Sequence, residues 1–233
     1  MYSEGTYFKD PSRHTEDSRY KAGALKKILI KYLSHNSFKL TSYADVGCGS
    51  GEVIKVLGKE LKHKFNTLKT LKGFDISPHV KNLEDDIITF SCEDFIKSNE
   101  KFDLVTLNDV FEHIPNPISF LTKVGERAKL VVMHIPLENC FSINIRNLQK
   151  NKIKNPGHLV FLDINSAINL ITYSGLQIID YEYSKGAIKA PSNNKTFLQK
   201  ATYPFKAILL RLNPYVFSKF FGISLIVIAK GID

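Results

Sequence analysis

The sequence predicts an α/β fold, a doubly wound and mostly parallel sheet within a single domain over residues 1–233. Short apolar runs of strand length alternate with segments of helical periodicity, which is the pattern of βαβ units. A glycine-rich turn at residues 45–51, with the sequence DVGCGSG, directly follows the first of these runs. Ligands bind at the carboxyl ends of the strands in open α/β sheets, so the turn also predicts where the site lies.

The first half of the chain carries most of the predicted strands. Residues 1–41 predict a helix over 22–33, preceded by a disordered terminus or by a lid that includes Tyr7, Phe8, His14 and Arg19. Over residues 42–136, strands are predicted at 43–46, 70–75, 87–91, 102–108 and 130–135. Helices are predicted to begin at Gly51, at Pro78 after a capping Ser77, and near Pro117.

The second half of the chain covers residues 137–233. A loop-rich stretch over 139–157 precedes a helix over 165–174, a strand over 176–183 and a last strand over 223–229. A basic insertion over 185–222 separates these two strands. Its segment 203–222 is a candidate for peripheral membrane contact, although its aromatic residues also suit a core position: Phe217, Phe220 and Phe221.

Composition limits the class of protein. With 233 residues and 43% hydrophobic content, the chain can bury a full core. It shows no signal-peptide segment and no apolar run of membrane-spanning length, which predicts a cytoplasmic protein. The three cysteines are dispersed and are expected to be free thiols: Cys48, Cys92 and Cys140.

The formal net charge is +9, and no acidic residue occurs between Glu182 and Asp233. Such a basic region suits nucleic acid, an anionic lipid surface or a phosphorylated small substrate. The alternative is an ordinary solvated, lysine-rich surface.

The spacing of the glycines distinguishes two kinds of ligand. Dinucleotide-binding turns follow G-x-G-x-x-G, whereas Gly47, Gly49 and Gly51 follow G-x-G-x-G. Glu52 then places an acid where a diphosphate would sit, which is electrostatically unfavourable. An S-adenosyl ligand carries a sulfonium and an ammonium, and it tolerates nearby acids such as Asp45. A turn without a ligand is the structural alternative.

Acidic and amide residues follow the later predicted strands. Asp75 can accept hydrogen bonds from both hydroxyls of a ribose. Asp94 can accept one from an adenine amine, with Phe95 or Ile76 flanking the ring. Asn108 and Asp109 end the fourth strand, beside the glycine turn.

Together these motifs resemble class I S-adenosylmethionine-dependent methyltransferases. The resemblance rests on the turn at 45–51, on Asp75, on Glu93-Asp94-Phe95 and on residues 102–114, and it is close over 42–136. Residues 157–161, GHLVF, are similar to small-molecule members, including those of bacterial surface-glycan and quinone pathways. The resemblance implies seven strands, a reversed last strand and S-adenosylmethionine as the cofactor. It also implies that residues 42–136 form a cofactor-binding half and residues 137–233 an acceptor-side half.

The resemblance also implies roles for individual residues. The three glycines contact the methionine part, supported through the loop by Asp45, while Asp75 holds the ribose, Asp94 the adenine amine and Asn108 the methionine end. The cofactor-binding set is Asp45, Gly47, Cys48, Gly49, Gly51, Asp75, Ile76, Glu93, Asp94, Phe95, Asn108 and Asp109. Strand-end acids that are merely solvated, and a core position for Phe95, are the alternatives.

Methyl transfer is an in-line displacement at the sulfonium, and a base is needed only where the acceptor loses a proton. Histidine suits that role near neutral pH. His113 and His158 are the candidate catalytic residues, with His134 a weaker one; packing roles are the alternative. The sequence spacing of the residues that could ligate a metal indicates no metal site.

These observations predict a methyltransferase that acts on an oxygen, or alternatively a nitrogen, of a small or glycan-type acceptor, which can be nucleotide-linked or lipid-phosphate-linked. The alternatives are an RNA methyltransferase that uses the basic surface, and a nucleotide-binding module without catalysis. No RNA-binding motif accompanies the charge.

Overall fold

A computed structural model describes residues 18–184 and 202–232 of the chain. Within these residues, seven strands form one sheet in the order β3-β2-β1-β4-β5-β7-β6. The strands are β1 Ser42–Val46, β2 Thr70–Asp75, β3 Thr89–Cys92, β4 Phe102–Asn108, β5 Ala128–Leu137, β6 Gln177–Tyr183 and β7 Ile223–Lys230. Only β7 is antiparallel to its neighbours. The predicted doubly wound sheet with a reversed last strand is therefore confirmed.

Helices cover both faces of the sheet. They are α1 Ser18–His35, α2 Glu52–Lys64, α3 Phe95–Ser98, α4 Pro117–Gly125, α5 Phe141–Asn144, α6 Gln149–Lys154, α7 Ile164–Tyr173, α8 Tyr203–Leu212 and α9 Pro214–Phe221. Two short 3-10 helices span Pro78–Asn82 and Phe111–His113. Leu130 and Val132 of β5 join the core with α1 and α2, whereas Val131 and Met133 join the core with α4 and α7. This alternation is what a strand buried on both faces requires.

The order of the strands creates a crevice. β1 lies between β2 and β4 in the sheet, so the chain winds away from β1 in opposite directions in its two halves. At such a switch point the loops after the two central strands separate and leave room for a ligand. Here those loops are the glycine-rich turn after β1 and residues 109–116 after β4.

Some local predictions differ from the structure. The helix expected at Pro78 begins there, after the predicted capping Ser77, but it is a short 3-10 helix that Leu83 closes with a backbone bond to Val80. The stretch 139–157, expected to be loop-rich, contains α5 and α6. Tyr7, Phe8 and His14 of the predicted lid, and the basic residues 185–201, lie outside the described residues, while Arg19 is in α1.

The segment 203–222 folds as the helix pair α8 and α9. Of its aromatic residues, Phe217 is buried in the predicted core position, whereas Phe220 is exposed. Membrane contact through this segment stays a prediction. In the part of the chain that the structure describes, no helix has the length and apolar character needed to cross a bilayer.

Candidate functional site

A cavity of about 820 Å³ opens at the carboxyl ends of β1, β2, β4 and β5. That volume lies in the range of ordinary small-molecule sites. Most of the residues predicted to bind a cofactor line it: Gly47, Cys48, Gly49, Asp75, Ile76, Glu93, Asp94, Phe95, Asn108 and Asp109. Asp45 and Gly51 do not line it. His113, His134 and His158 do.

The glycine-rich turn is closed by backbone hydrogen bonds. The amides of Gly47 and Cys48 both donate to the carbonyl oxygen of Phe74, over 2.8 and 3.0 Å. Gly47, Gly49 and Gly51 have φ of 72°, 54° and 76°, in the left-handed region that favours glycine. Gly51 is the N-cap of α2 and packs against Phe90, so its role is in the start of the helix rather than in the cavity wall.

Asp75 joins the glycine turn to β2. Its Oδ2 accepts a hydrogen bond from the Gly49 amide over 2.9 Å, and its Oδ1 accepts one from the Ser77 amide over 2.8 Å. Burial raises the pKa of Asp75 above its ordinary value, although these bonds oppose the shift. Each carboxylate oxygen has a second lone pair, so Asp75 can still accept from a ligand. The neighbouring Ile76 is half exposed beside it, an apolar side chain at the cavity wall.

The residues after β3 form the adjacent wall. Asp94 is the N-cap of α3, and its Oδ1 accepts from the Ile96 amide over 3.1 Å. Glu93 accepts a hydrogen bond from the Ser91 hydroxyl. Phe95 is buried, 5.1 Å between ring centroids from Phe74, so it belongs to the core while part of it lines the cavity.

Two buried polar atoms have no hydrogen-bond partner among the described residues and lie near the glycine turn in the sheet. They are Oδ1 of Asn108, at the cavity, and Oδ2 of Asp45. The other carboxylate oxygen of Asp45 accepts from Thr106 of β4 over 2.6 Å. Burial raises the pKa of Asp45 to about 7. An unpartnered buried acceptor is costly, so Oδ1 of Asn108, which faces the cavity, is suited to accept from a bound donor, whereas Asp45 does not line the cavity.

Asp109, directly after β4, links that strand to α1 and β5 at the cavity. It has φ of 55°, and its carboxylate is 2.6 Å from Nδ1 of His134 and 2.8 Å from Nζ of Lys21 in α1. Burial opposes ionisation, but the charges of His134 and Lys21 outweigh it and lower the pKa of Asp109. This carboxylate is thus held by the protein's own groups, although it was predicted to bind the cofactor.

Glu112, His113 and His158 meet beyond Asp109. The rings of His113 and His158 are in edge-to-face contact, 4.7 Å between centroids. His158 lies 2.7 Å from Glu138, which also binds Lys152 over 2.8 Å. Burial lowers the pKa of His113, and burial together with the nearby Asp109 raises that of Glu112 well above its ordinary value.

Comparison with protein families decides the class. Residues 18–181, which include the glycine turn and most of the cavity wall, match the family model for a methyltransferase domain. The chain belongs to this methyltransferase family. No curated protein sequence matches it.

Solved structures share the fold of this methyltransferase. The plantazolicin methyltransferase BpumL in complex with SAH is 18% identical, with a TM-score of 0.60 and coverage of 100% of this chain and 95% of that one. Magnesium protoporphyrin IX methyltransferase (ChlM) from Synechocystis PCC 6803, with bound SAH, is 14% identical, with a TM-score of 0.57 and coverage of 97% and 90%. The StiE O-MT, residues 961–1257, is 16% identical, with a TM-score of 0.57 and coverage of 95% and 79%.

The sequence-based analysis missed part of the cavity wall. Lys21, Glu138 and Lys152 line it but come from α1, from the end of β5 and from α6, in segments without a recognisable motif. Glu112 belongs to the motif over residues 102–114. Nothing in the sequence indicated that it is buried beside two histidines.

The buried carboxyl of Asp45 predicts a pH-dependent stability. Its pKa is about 7 in the folded state and 3.8 in a model peptide, so ionisation penalises folding progressively as pH rises from about 4 to about 7. Asp45→Asn is therefore expected to become more stable than the wild type over this interval, by on the order of 4 kcal/mol above pH 7. Urea unfolding between pH 4.5 and 8.5 measures the difference.

Asp103→Asn is the matched control, because its expected effect on stability is opposite in sign to that of Asp45→Asn. Burial opposes ionisation of Asp103, but bonds from Lys129 and Thr41 outweigh it and lower its pKa. This variant is expected to be less stable than the wild type at neutral pH. A pH-independent difference for Asp45→Asn would contradict the assigned pKa.

Proposed function

We propose that this chain transfers the methyl group of S-adenosylmethionine to an oxygen of a small acceptor. One observation carries the proposal: a single cavity presents the positive-φ glycine turn, the carboxylate of Asp75 and the unpartnered buried Oδ1 of Asn108. These groups match a ligand that has a ribose and an ammonium, and family membership supplies the reaction class. Relatives in fold that were solved with SAH support the same cofactor.

In this proposal the cofactor lies along the ends of β1, β2 and β4. Gly47, Cys48 and Gly49 contact the methionine part, and Asn108 accepts from its ammonium. Asp75 accepts from the ribose hydroxyls, with Ile76 against the sugar and base.

The adenine is surrounded by residues that follow β3: Glu93, Asp94 and Phe95. Asp45 and Gly51 act indirectly: the first ties the end of β1 to β4 through the Thr106 hydroxyl, and the second shapes the turn.

Methyl transfer requires that the acceptor oxygen be aligned with the methyl carbon and the sulfur, and that a hydroxyl acceptor lose one proton. The acceptor oxygen attacks the methyl carbon, the carbon–sulfur bond breaks, and its electron pair stays on sulfur as the neutral thioether. A hydroxyl acceptor must also lose its proton to a base. His113 and His158 line the cavity on loops beyond β4, where we place the acceptor.

The exposed surface of helices α8 and α9 supports an apolar or lipid-phosphate-linked acceptor. Helices α8 and α9 expose a group of large apolar side chains together with Phe141 of α5: Phe205, Ile208, Leu212 and Phe220. Lys206 lies over the ring of Phe221, 4.9 Å from its centroid, so cationic groups accompany the apolar surface. Apolar surface bordered by cations suits a lipid interface better than RNA. A glycan-type acceptor on a lipid phosphate fits both features.

Two measurements test the proposal. Calorimetry should detect binding of S-adenosylmethionine at one site per chain. Labelled cofactor should then transfer its methyl group to a compound in a panel of sugar nucleotides, lipid-phosphate-linked glycans in detergent, quinone precursors and RNA. Absence of cofactor binding would overturn the proposal. Transfer only to RNA, with strong salt dependence, would replace it by the RNA methyltransferase alternative.

A further inference from the structure

Three side chains that can act as metal ligands lie close together on the wall of the cavity. One oxygen of Glu112 and one nitrogen each of His113 and His158 all lie within 4.8 Å of one another. Backbone bonds fix this arrangement, because the amides of Leu159 and Val160 both donate to the carbonyl of Glu112, over 2.8 and 3.1 Å. The segment that carries His158 is thereby held against the turn after β4.

Hydrogen bonds set the tautomers of both histidines. Nδ1 of His113 is 3.1 Å from the carbonyl oxygen of Gly157, which can only accept, so this nitrogen carries a proton. Nδ1 of His158 is 2.7 Å from Oε2 of the Glu138 carboxylate and likewise donates. In each neutral ring the lone pair is then on Nε2. A histidine that donates its other nitrogen to a carboxylate or carbonyl is the usual arrangement of a metal ligand.

Glu112 provides the independent observation. Its side chain is 1% exposed, lines the cavity, and has neither carboxylate oxygen hydrogen-bonded within the described residues. A buried carboxylate without a donor costs several kcal/mol, so such a group is retained where a cation or donor binds. The negative charge of Asp109 further disfavours an ionised Glu112 and increases that cost.

We propose that Glu112, His113 and His158 bind a divalent transition-metal ion such as Zn²⁺ or Mn²⁺. Bonds of about 2.0–2.2 Å place neighbouring ligand atoms about 3 to 3.5 Å apart, so the side chains close in by about an ångström on binding. Two imidazoles and one carboxylate favour these ions over Mg²⁺, which prefers oxygen ligands. Three protein ligands leave further coordination positions open to the cavity. The proposal reverses the expectation, drawn from spacing, that the chain has no metal site.

A bound ion would change the role of the two histidines in methyl transfer. This part of the inference rests on the proposed function. A bound ion would lower the pKa of an acceptor hydroxyl that coordinates it, so that the proton could pass to water in the open cavity, and it would hold the oxygen in one position for attack on the methyl carbon. His113 and His158 are then ligands rather than bases. Glu138 and Lys152 become positioning residues, because they orient the ring of His158.

Direct metal binding tests the proposal without cofactor or acceptor. The full chain, stripped with a chelator, is titrated with Co²⁺ and followed by its visible absorption, and with Zn²⁺ and Mn²⁺ by calorimetry. One equivalent is expected to bind. Glu112→Gln and His158→Gln, which keep the approximate shape, are expected to weaken binding about 10²-fold or more. His63→Ala removes an exposed histidine of α2 and should bind as the wild type.

Thermal unfolding provides a second readout that does not depend on activity. The ion should raise the midpoint of the wild type and of His63→Ala but not of the two ligand variants. Their affinity for S-adenosylmethionine, measured separately, reports whether they are folded and tests the proposed function independently. No stoichiometric binding by the wild type, or equal binding by Glu112→Gln and His158→Gln, would overturn the metal site.

Discussion

Replacement of Gly47 by alanine is expected to destabilise the protein by about 2 to 4 kcal/mol and to abolish detectable binding of S-adenosylmethionine. At φ of 72° a side chain is strained in any surroundings. The added Cβ would also lie 2.6 Å from Cγ2 and 3.2 Å from Cγ1 of Val110. Relief of this clash requires movement of the turn or of the loop after β4, and both form the cavity wall.

Denaturant unfolding and cofactor calorimetry, both at low temperature where the variant remains folded, measure the two effects. Gly23→Ala is the matched control, because Gly23 lies in α1, and a Cβ there meets nothing within 4 Å. This control should gain about 0.5 to 1 kcal/mol from helix propensity and bind the cofactor normally. A Gly47→Ala variant with wild-type affinity would show that the turn does not hold the cofactor.

Asp75→Ala is expected to weaken cofactor affinity by roughly 10² to 10³-fold. The change removes the proposed acceptor for the ribose hydroxyls, and a hydrogen bond to a charged group contributes about 1.5 to 3 kcal/mol. It also removes the acceptor for the Gly49 amide, so the turn loses one of its supports. Calorimetry with S-adenosylhomocysteine measures the loss. Asp180→Ala, which removes an exposed carboxylate paired with Lys31, should leave the affinity unchanged.

A ribose analogue separates direct contact from a purely structural role of Asp75. If Asp75 binds the ribose, the wild type should discriminate against 2′,3′-dideoxy-S-adenosylhomocysteine, and the Asp75→Ala variant should bind both compounds similarly. Equal discrimination by the two proteins would remove the ribose assignment. The fold of each variant is checked by its thermal unfolding, because the amides of Gly49 and Ser77 lose their acceptor in the variant.

The sheet was predictable because its strands carry local signals. β2 and β4 begin and end where the apolar runs do, and β1, β5 and β7 differ from prediction by only a few residues. The short helices were not predictable in the same way. α5 and α6 are four and six residues long, so their stability comes from packing and not from any helical period in the sequence.

The cofactor half of the cavity was predictable for a related reason. In a parallel sheet the carboxyl ends of β1, β2, β3 and β4 meet at one edge, so residues that follow these strands come together without any further information. Thus Gly47, Asp75, Asp94 and Asn108, which are spread over 62 positions of sequence, line one cavity. Asp45 and Gly51 are the exceptions, because Asp45 is buried at the end of β1 and the position of Gly51 depends on the exact path of the turn.

The amino-acid sequence by itself determined the parallel sheet, its glycine turn and the edge at which a ligand binds, because strand periodicity, glycine conformation and strand-end position are local properties. Only the tertiary structure decided which side chains share the acceptor side. Lys21 reaches Asp109 from α1, and His158 reaches Glu112 from 46 residues later in the chain. These contacts depend on how loops fold back over the sheet edge, which is set by long-range packing and backbone hydrogen bonds. The hypothesis of a metal site therefore arises from the structure and not from the sequence.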